Sequence, residues 1–376
     1  MVFTNTLEGH HLEYIHHVYE FAKDDADNNY TFVLPRSFLK IRDKLIWEPA
    51  KQIVFDLYDE TELKSSKSLY YSYTTCRFVS QVAKKHNTDI IYSNLAIIFV
   101  PFAPLIIGRK RRIIGIIYRI YLHDIGVRSK LAIMQDKLKY WIMSKFSIFY
   151  RVLILNDEDS AVQLNKIYNT TKFIAIPDPY VPISIDQMEN IRQIYSIRDN
   201  KILFAHFGVM NGNKGTLELL KSLKEMSNED CEKYTFFLAG RVDESIRERF
   251  YSLIEEFKDK VQIIVKDEYC SYEFLGSLCT ACDAIVTPYK RTAQSSGLIG
   301  YASQFGKPVI APYKGLLGQL VKKYELGILI QDTTPTSLLS AYRDVYLGNY
   351  QKPSKRYCEE KTIYNFQQTI KKCFCL

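Results

Sequence analysis

Ile202-Leu-Phe-Ala-His-Phe207 is an apolar, β-rich run, and Gly208-Val-Met-Asn-Gly212-Asn-Lys214-Gly215 follows it directly, ahead of the amphipathic stretch Thr216–Met226. Strand, glycine-rich turn and helix is the order in which a parallel α/β sheet presents a ligand site, because the turn lies beyond the carboxyl end of the strand. The glycines let backbone approach an anion, and free N–H groups favour its charge. Lys214 adds a mobile cation at the same mouth. The loop lacks the Gly-Lys-Ser/Thr ending of a P-loop and the GxGxxG spacing of a dinucleotide site. It reads as an anion-binding loop of another kind.

The alternation continues on both sides of this stretch. Downstream, Thr235–Ala239, Val261–Val265, Ala284–Thr287 and Pro308–Ala311 read as strands, separated by the helical runs Glu244–Phe257, Tyr272–Cys282, Leu298–Phe305 and Leu317–Tyr324. Upstream, Tyr30–Leu34, Ile53–Leu57, Ile90–Tyr92, Ile117–Leu122, Val152–Leu155 and Phe173–Ile176 read as strands. Helical runs there include His11–Ala22, Ser66–Lys85 and Ser160–Tyr168. Short strands alternating with helices imply βαβ units and parallel sheets. Two such series predict an α/β fold of two Rossmann-like domains facing each other across a cleft. Their expected bounds are 1–180 and 181–345, with 346–376 as a C-terminal helix crossing back to the first domain.

Composition excludes several classes. Of 376 residues, 47% are hydrophobic and 24% charged, which removes intrinsic disorder. The net charge of +8 suits an anionic substrate or membrane surface but is spread too thinly for nucleic-acid binding. Eight cysteines without a secreted framework favour reduced thiols and a cytoplasmic setting. Cys279-x-x-Cys282 has redox or zinc spacing, but it lies in a helical run with no second pair, so packing is the simpler role. Cys373-Phe-Cys-Leu376 formally fits a prenylation box and has no other support. No metal site and no cofactor are expected. Met1–Leu7 runs into the polar Glu8-Gly-His-His, so no signal peptide is expected either.

Ile90–Ile107 is nearly long enough to span a bilayer, but Ser93, Asn94, Pro101 and Pro104 interrupt it. It reads as strand, loop and a partly exposed apolar helix. Arg109, Lys110, Arg111 and Arg112 follow, a cluster suited to peripheral contact with anionic lipid or to a solvated helix end.

A second loop of the Lys214 kind is Pro288-Tyr-Lys-Arg291-Thr-Ala-Gln294-Ser295-Ser296-Gly297. Its hydroxyls and glycine suit phosphate oxygens, with Lys290 or Arg291 supplying charge. Alternatively Ser295 or Ser296 merely caps the helix that follows.

These two loops, together with Phe237-Leu-Ala-Gly240, Cys282-Asp-Ala-Ile-Val-Thr-Pro288 and Ala302-Ser-Gln-Phe-Gly306-Lys-Pro308-Val-Ile-Ala311, resemble glycosyltransferase family 4. The resemblance spans about Lys201–Gln331 and continues upstream to Ile174-Ala-Ile-Pro177-Asp178. It implies the GT-B fold, a retaining reaction, a nucleotide-sugar donor and a saccharide or lipid-linked acceptor, as in cell-surface polysaccharide or glycolipid assembly. Gly208, Gly215, Gly240, Lys290, Arg291, Gln294, Ser295, Ser296, Gly297 and Tyr301 become donor-binding candidates, and Lys214 the residue that stabilises the departing diphosphate.

In the first domain Glu8-Gly9-His10-His11 resembles the family's loop after strand one, and Ile120-Tyr-Leu-His123-Asp124 its strand-end histidine. Gly9, His10 and His123 are accordingly placed at the acceptor, with His10 and His123 as catalytic candidates. His16 and His17 read as packed or solvent-facing, and His206, inside a strand, as structural.

Two features depart from the family. Val209 stands where the family carries a phosphate-binding arginine, and its Glu-x7-Glu pair falls on Ala293 and Tyr301. A non-catalytic nucleotide-sugar-binding or assembly subunit is therefore the alternative to a transferase. An epimerase or a phosphorylase of the same fold is less suited, lacking the needed carboxylate or His set and the needed length.

Overall fold

The computed structural model describes residues 1–7, 10–63, 69–184 and 188–374. Gly9 lies outside them, as do Ser66, Cys375 and Leu376. The chain divides into two compact units, one formed by Met1–Pro179 with Ile363–Leu376 and the other by Tyr180–Thr362.

The first unit is built on a seven-stranded sheet: β1 (Val2–Phe3), β2 (Tyr30–Pro35), β3 (Ile53–Tyr58), β4 (Ile90–Ser93), β5 (Arg112–Ile117), β6 (Phe149–Leu155) and β7 (Phe173–Ile176). Their order is β3-β2-β1-β4-β5-β6-β7, and all pairs are parallel. The order reverses between β1 and β4, which is where such sheets open a crevice for ligand. Continuous burial along Ile113–Ile117 of β5 and Val152–Leu155 of β6 matches the unbroken apolar character of those runs, as expected for strands covered on both faces. Helix His11–Lys23 packs its Tyr14, Ile15 and Val18 into the core, where Phe366, Ile370 and Cys373 of the final helix, Ile363–Phe374, join them.

The second unit carries β8 (Ile202–Phe207), β9 (Tyr234–Ala239), β10 (Gln262–Lys266), β11 (Ala284–Val286), β12 (Val309–Pro312) and β13 (Gly327–Ile330). Their order is β10-β9-β8-β11-β12-β13, again all parallel, with the reversal between β8 and β11. The unit runs on beyond residue 345 to Thr362. Tyr180 N–H donates to Lys361 O, and helix Arg356–Glu360 is held by Ser303, whose hydroxyl donates to Ser354 O at 2.8 Å. Segment 346–362 thus closes this unit, and only the helix from Ile363 joins the other.

One strand lies elsewhere than the sequence pattern predicts. The expected strand Ile117–Leu122 is instead Arg112–Ile117, with a 3₁₀ turn over Tyr121–Asp124. Register explains the shift: Arg112 pairs with Ile90 at the start of β4, and Ile117 pairs with Ile154 of β6, where the ladder ends. Gly115 also belongs inside it, because a Cβ there would lie 2.9 Å from the Ala96 side chain.

The apolar stretch Ile90–Ile107 resolves into β4, a 3₁₀ turn at Ala96–Phe99 and a short helix, Ala103–Ile106. Among the described residues no helix is long and apolar enough to cross a membrane. The cation cluster behind it is split. Arg109 and Lys110 project into solvent, while Arg111 donates to Ile107 O and Ala83 O, and Arg112 lies over the Tyr150 ring.

Candidate functional site

The loops after β8 and β11 come together, and glycine makes this possible. Gly215 has φ +69, and a Cβ there would fall 1.8 Å from Pro288 O. Lys290 N–H then donates to Asn213 O at 2.9 Å. Asn211 shapes the first loop by accepting from the N–H groups of Asn213 and Lys214 through its side chain. Gly208 (φ +96) and Gly240 (φ +128) bring the ends of β8 and β9 into contact, since a Cβ on Gly240 would meet Gly208 O at 2.0 Å.

Lys214 is placed by this loop with its ammonium 3.9 Å from the centroid of the Tyr289 ring. Tyr289 in turn has its hydroxyl 3.4 Å from Ser296 Oγ. A cation held over an aromatic face beside two glycine turns is suited to an oxyanion: the charge is pre-positioned, and no carboxylate among the described residues forms an ion pair with it.

His206 fastens the arrangement from below. Its Nδ1–H donates to Val286 O at 2.9 Å, so Nε2 is the acceptor and takes the Thr216 hydroxyl, also at 2.9 Å. One ring thus ties β8, β11 and the start of helix Thr216–Ser222. Burial, reinforced by the nearby Lys214 charge, lowers its pKa from 6.5 to about 4 despite the hydrogen bond to Val286, so it is neutral at pH 7.

The second loop divides the sequence-predicted residues. Arg291 and Gln294 are exposed, and Ser296 is buried. Helix Leu298–Phe305 begins at Gly297 with no side-chain cap, so neither Ser295 nor Ser296 serves as its N-cap. Tyr301 packs edge-on against Phe207 and Tyr180. Lys290 pairs with Glu218 Oε1 at 2.6 Å, so its charge is spent locally.

In the first unit, His10 precedes helix His11–Lys23, largely exposed, with Nδ1 3.1 Å from Glu13. His123 lies on the 3₁₀ turn after β5, nearly buried, and its Nε2–H donates to Asp157 Oδ2 at 2.6 Å. Asp157 also caps helix Glu158–Tyr168 by accepting from Ser160 N–H. Burial pushes its carboxyl up, but the hydrogen bonds from His123 and Ser160 outweigh that, and it sits below the ordinary carboxylate range.

Three participants were not singled out in sequence: Tyr289, Glu218 and Asp157. Only Asp157 carried a local signal, an Asp ahead of Glu158-Asp159-Ser160 at a helix start. Elsewhere, Cys279 and Cys282 are wholly buried, with Cys282 Sγ donating to Cys279 O, and burial raises both thiol pKa values, that of Cys282 to about 12. Among the described residues no three His, Cys, Asp or Glu side chains group as metal ligands.

Two parallel sheets, each with its order reversed beside the first strand, and paired glycine loops at one reversal define a GT-B glycosyltransferase fold. Residues 187–362 match the family model described as glycosyl transferases group 1, which bears out the family resemblance in the second unit. HepE of Anabaena, solved with UDP, superposes with a TM-score of 0.70 at 15% identity, covering 99% of this chain and 97% of its own. WaaG, a glycosyltransferase involved in lipopolysaccharide biosynthesis, gives 0.65 at 14% identity over 96% and 95%. A UDP-forming α,α-trehalose-phosphate synthase from Burkholderia xenovorans gives 0.68 at 12% identity over 99% and 98%. Among curated proteins, no sequence matches this chain.

Proposed function

We propose that the protein is a retaining glycosyltransferase that moves a sugar from a nucleotide donor to an acceptor hydroxyl without a resident metal or cofactor. The observation that carries the reading is Lys214, held uncancelled over Tyr289 at the junction of two glycine loops. The bond from the sugar's anomeric carbon to the diphosphate breaks, the acceptor oxygen bonds that carbon, and the acceptor proton passes to the leaving phosphate. Lys214 and the N–H groups of Gly208–Gly215 and Ser295–Gly297 stabilise the developing charge. The solved complex of HepE with UDP-glucose supports a donor of this class.

The acceptor, a saccharide or a lipid-linked one, is held in this reading by Gly9, His10 and His123 of the first unit. Cell-surface polysaccharide or glycolipid assembly, a cytoplasmic setting and peripheral contact with anionic membrane through Arg109, Lys110, Arg111 and Arg112 complete it.

A second reading, a non-catalytic nucleotide-sugar-binding subunit, is favoured by the buried Ala293 and the ring-packed Tyr301 where the family's two glutamates fall. Turnover of a panel of nucleotide sugars, run with and without EDTA, separates the readings. Transfer or donor hydrolysis that persists in EDTA supports the first; binding without turnover supports the second, and strict dependence on a divalent ion overturns the metal-free donor site.

A further inference from the structure

Helix Lys130–Lys145 of the first unit is apolar on two opposite sides. Ile133, Tyr140 and Met143 are buried. Leu131, Met134, Leu138 and Trp141 recur at spacings of three and four, which puts them on one stripe of the other side. Their exposures are 61, 60, 57 and 46%. An ordinary surface helix turns polar residues to water, and contiguous large apolar residues left there mark a docking surface.

Charge selects the occupant. Lys130 and Lys137 border the stripe along one edge, both exposed, while Lys145 at its end donates to Tyr168 O at 2.8 Å. The helix's single acid, Asp136, is engaged by Arg128 and Lys139. A second copy docking by the same patch would set lysines against lysines, since a two-fold interface is self-matched. An anionic surface meets both the lysines and the apolar stripe.

We propose that helix Lys130–Lys145 lies in the headgroup region of an anionic bilayer, with Leu131, Met134, Leu138 and Trp141 at the acyl boundary and the lysines on lipid phosphates. This rests on the membrane-associated reading above and moves the main contact away from Arg109–Arg112, where Arg111 and Arg112 fold back onto the protein.

The test is co-sedimentation with phosphatidylcholine vesicles with and without phosphatidylglycerol. The native chain is expected to bind the anionic vesicles at low salt and to leave them at high salt. Leu138→Ser with Trp141→Ser should lower partitioning at least ~10-fold. Lys130→Gln with Lys137→Gln should lower it about 30-fold, at about one kcal/mol per lysine. Both pairs are exposed, and circular dichroism checks that the variants fold. In a Trp47→Phe background Trp141 is the remaining tryptophan, and its emission should shift to the blue on anionic vesicles.

If stripe variants bind like native while Arg109→Gln with Lys110→Gln does not, this helix is overturned and the membrane reading stands. A native chain that ignores anionic vesicles at low salt overturns both. A concentration-dependent dimer lost in Leu138→Ser, without vesicle binding, assigns the stripe to a second copy and overturns the lipid proposal.

Discussion

The Lys214 ammonium and the Tyr289 ring, 3.9 Å apart, link the loop after β8 to the loop after β11. The contact orients a cation that has no carboxylate ion pair among the described residues. Its neighbour Lys290 has the opposite fate, bound at 2.6 Å to Glu218. The two lysines therefore make different predictions. Lys214→Ala should lower turnover about 10²–10³-fold, the usual effect of removing one group that stabilises an oxyanion. Lys290→Ala should lower it by less than about tenfold under the same assay. Equal losses in the two variants, or none for Lys214→Ala, would remove Lys214 from its assigned role.

Gly208 and Gly215 separate backbone strain from collision. Both have positive φ, but nothing lies within 4 Å of a Cβ on Gly208, whereas a Cβ on Gly215 strikes the Pro288 carbonyl. Gly208→Ala should cost about 1–2 kcal/mol of stability from the left-handed conformation alone. Gly215→Ala should cost about 1–3 kcal/mol more, because the two loops must part. Urea unfolding of both variants checks the ordering, and similar midpoints would mean that the loops separate freely.

Much of this fold was legible because parallel sheets leave coarse marks: short apolar runs, several of which (β7, β8, β9 and β11) lead into a glycine or proline turn. The Lys214 loop was legible for the same reason. What the pattern could not place was register and partnership. Six consecutive residues such as Arg112–Ile117 look the same shifted by five, and only pairing with β4 and β6 decides where the strand starts and stops. Glu218 and Lys290 are 72 positions apart, so no local spacing could announce that one would neutralise the other. The cation run Arg109–Arg112 was read as one patch, but β5 begins at Arg112, and the strand's geometry turns that side chain over Tyr150.

His206 sets a pH dependence whose sign follows from its burial. Its pKa falls from 6.5 in the open chain to about 4 in the fold. Between these values the unfolded chain binds the proton and the native one does not, so acid favours unfolding. The stabilisation is complete above about pH 6.5 and declines as pH falls toward 4, by about 3 kcal/mol in all. A His206→Asn variant should start less stable at pH 7, having lost one or both hydrogen bonds, and should show a flatter curve over this range. Native and variant curves that run parallel would show that His206 is not the titrating group.

The bond from His123 to Asp157 joins a catalytic candidate to a helix cap, and a single substitution can part those roles. Asp157→Asn keeps the shape and a good N-cap residue, so stability should change by less than about 1 kcal/mol. It removes the carboxylate that holds the His123 Nε2–H, leaving the ring free to turn or to change tautomer. Turnover should fall about tenfold, because the carboxylate that orients the imidazole is gone. His123→Ala should lose at least as much activity. In the double variant the losses should not add, since both act through one ring. Additive losses, or an Asp157→Asn enzyme with native turnover, would confine Asp157 to capping its helix.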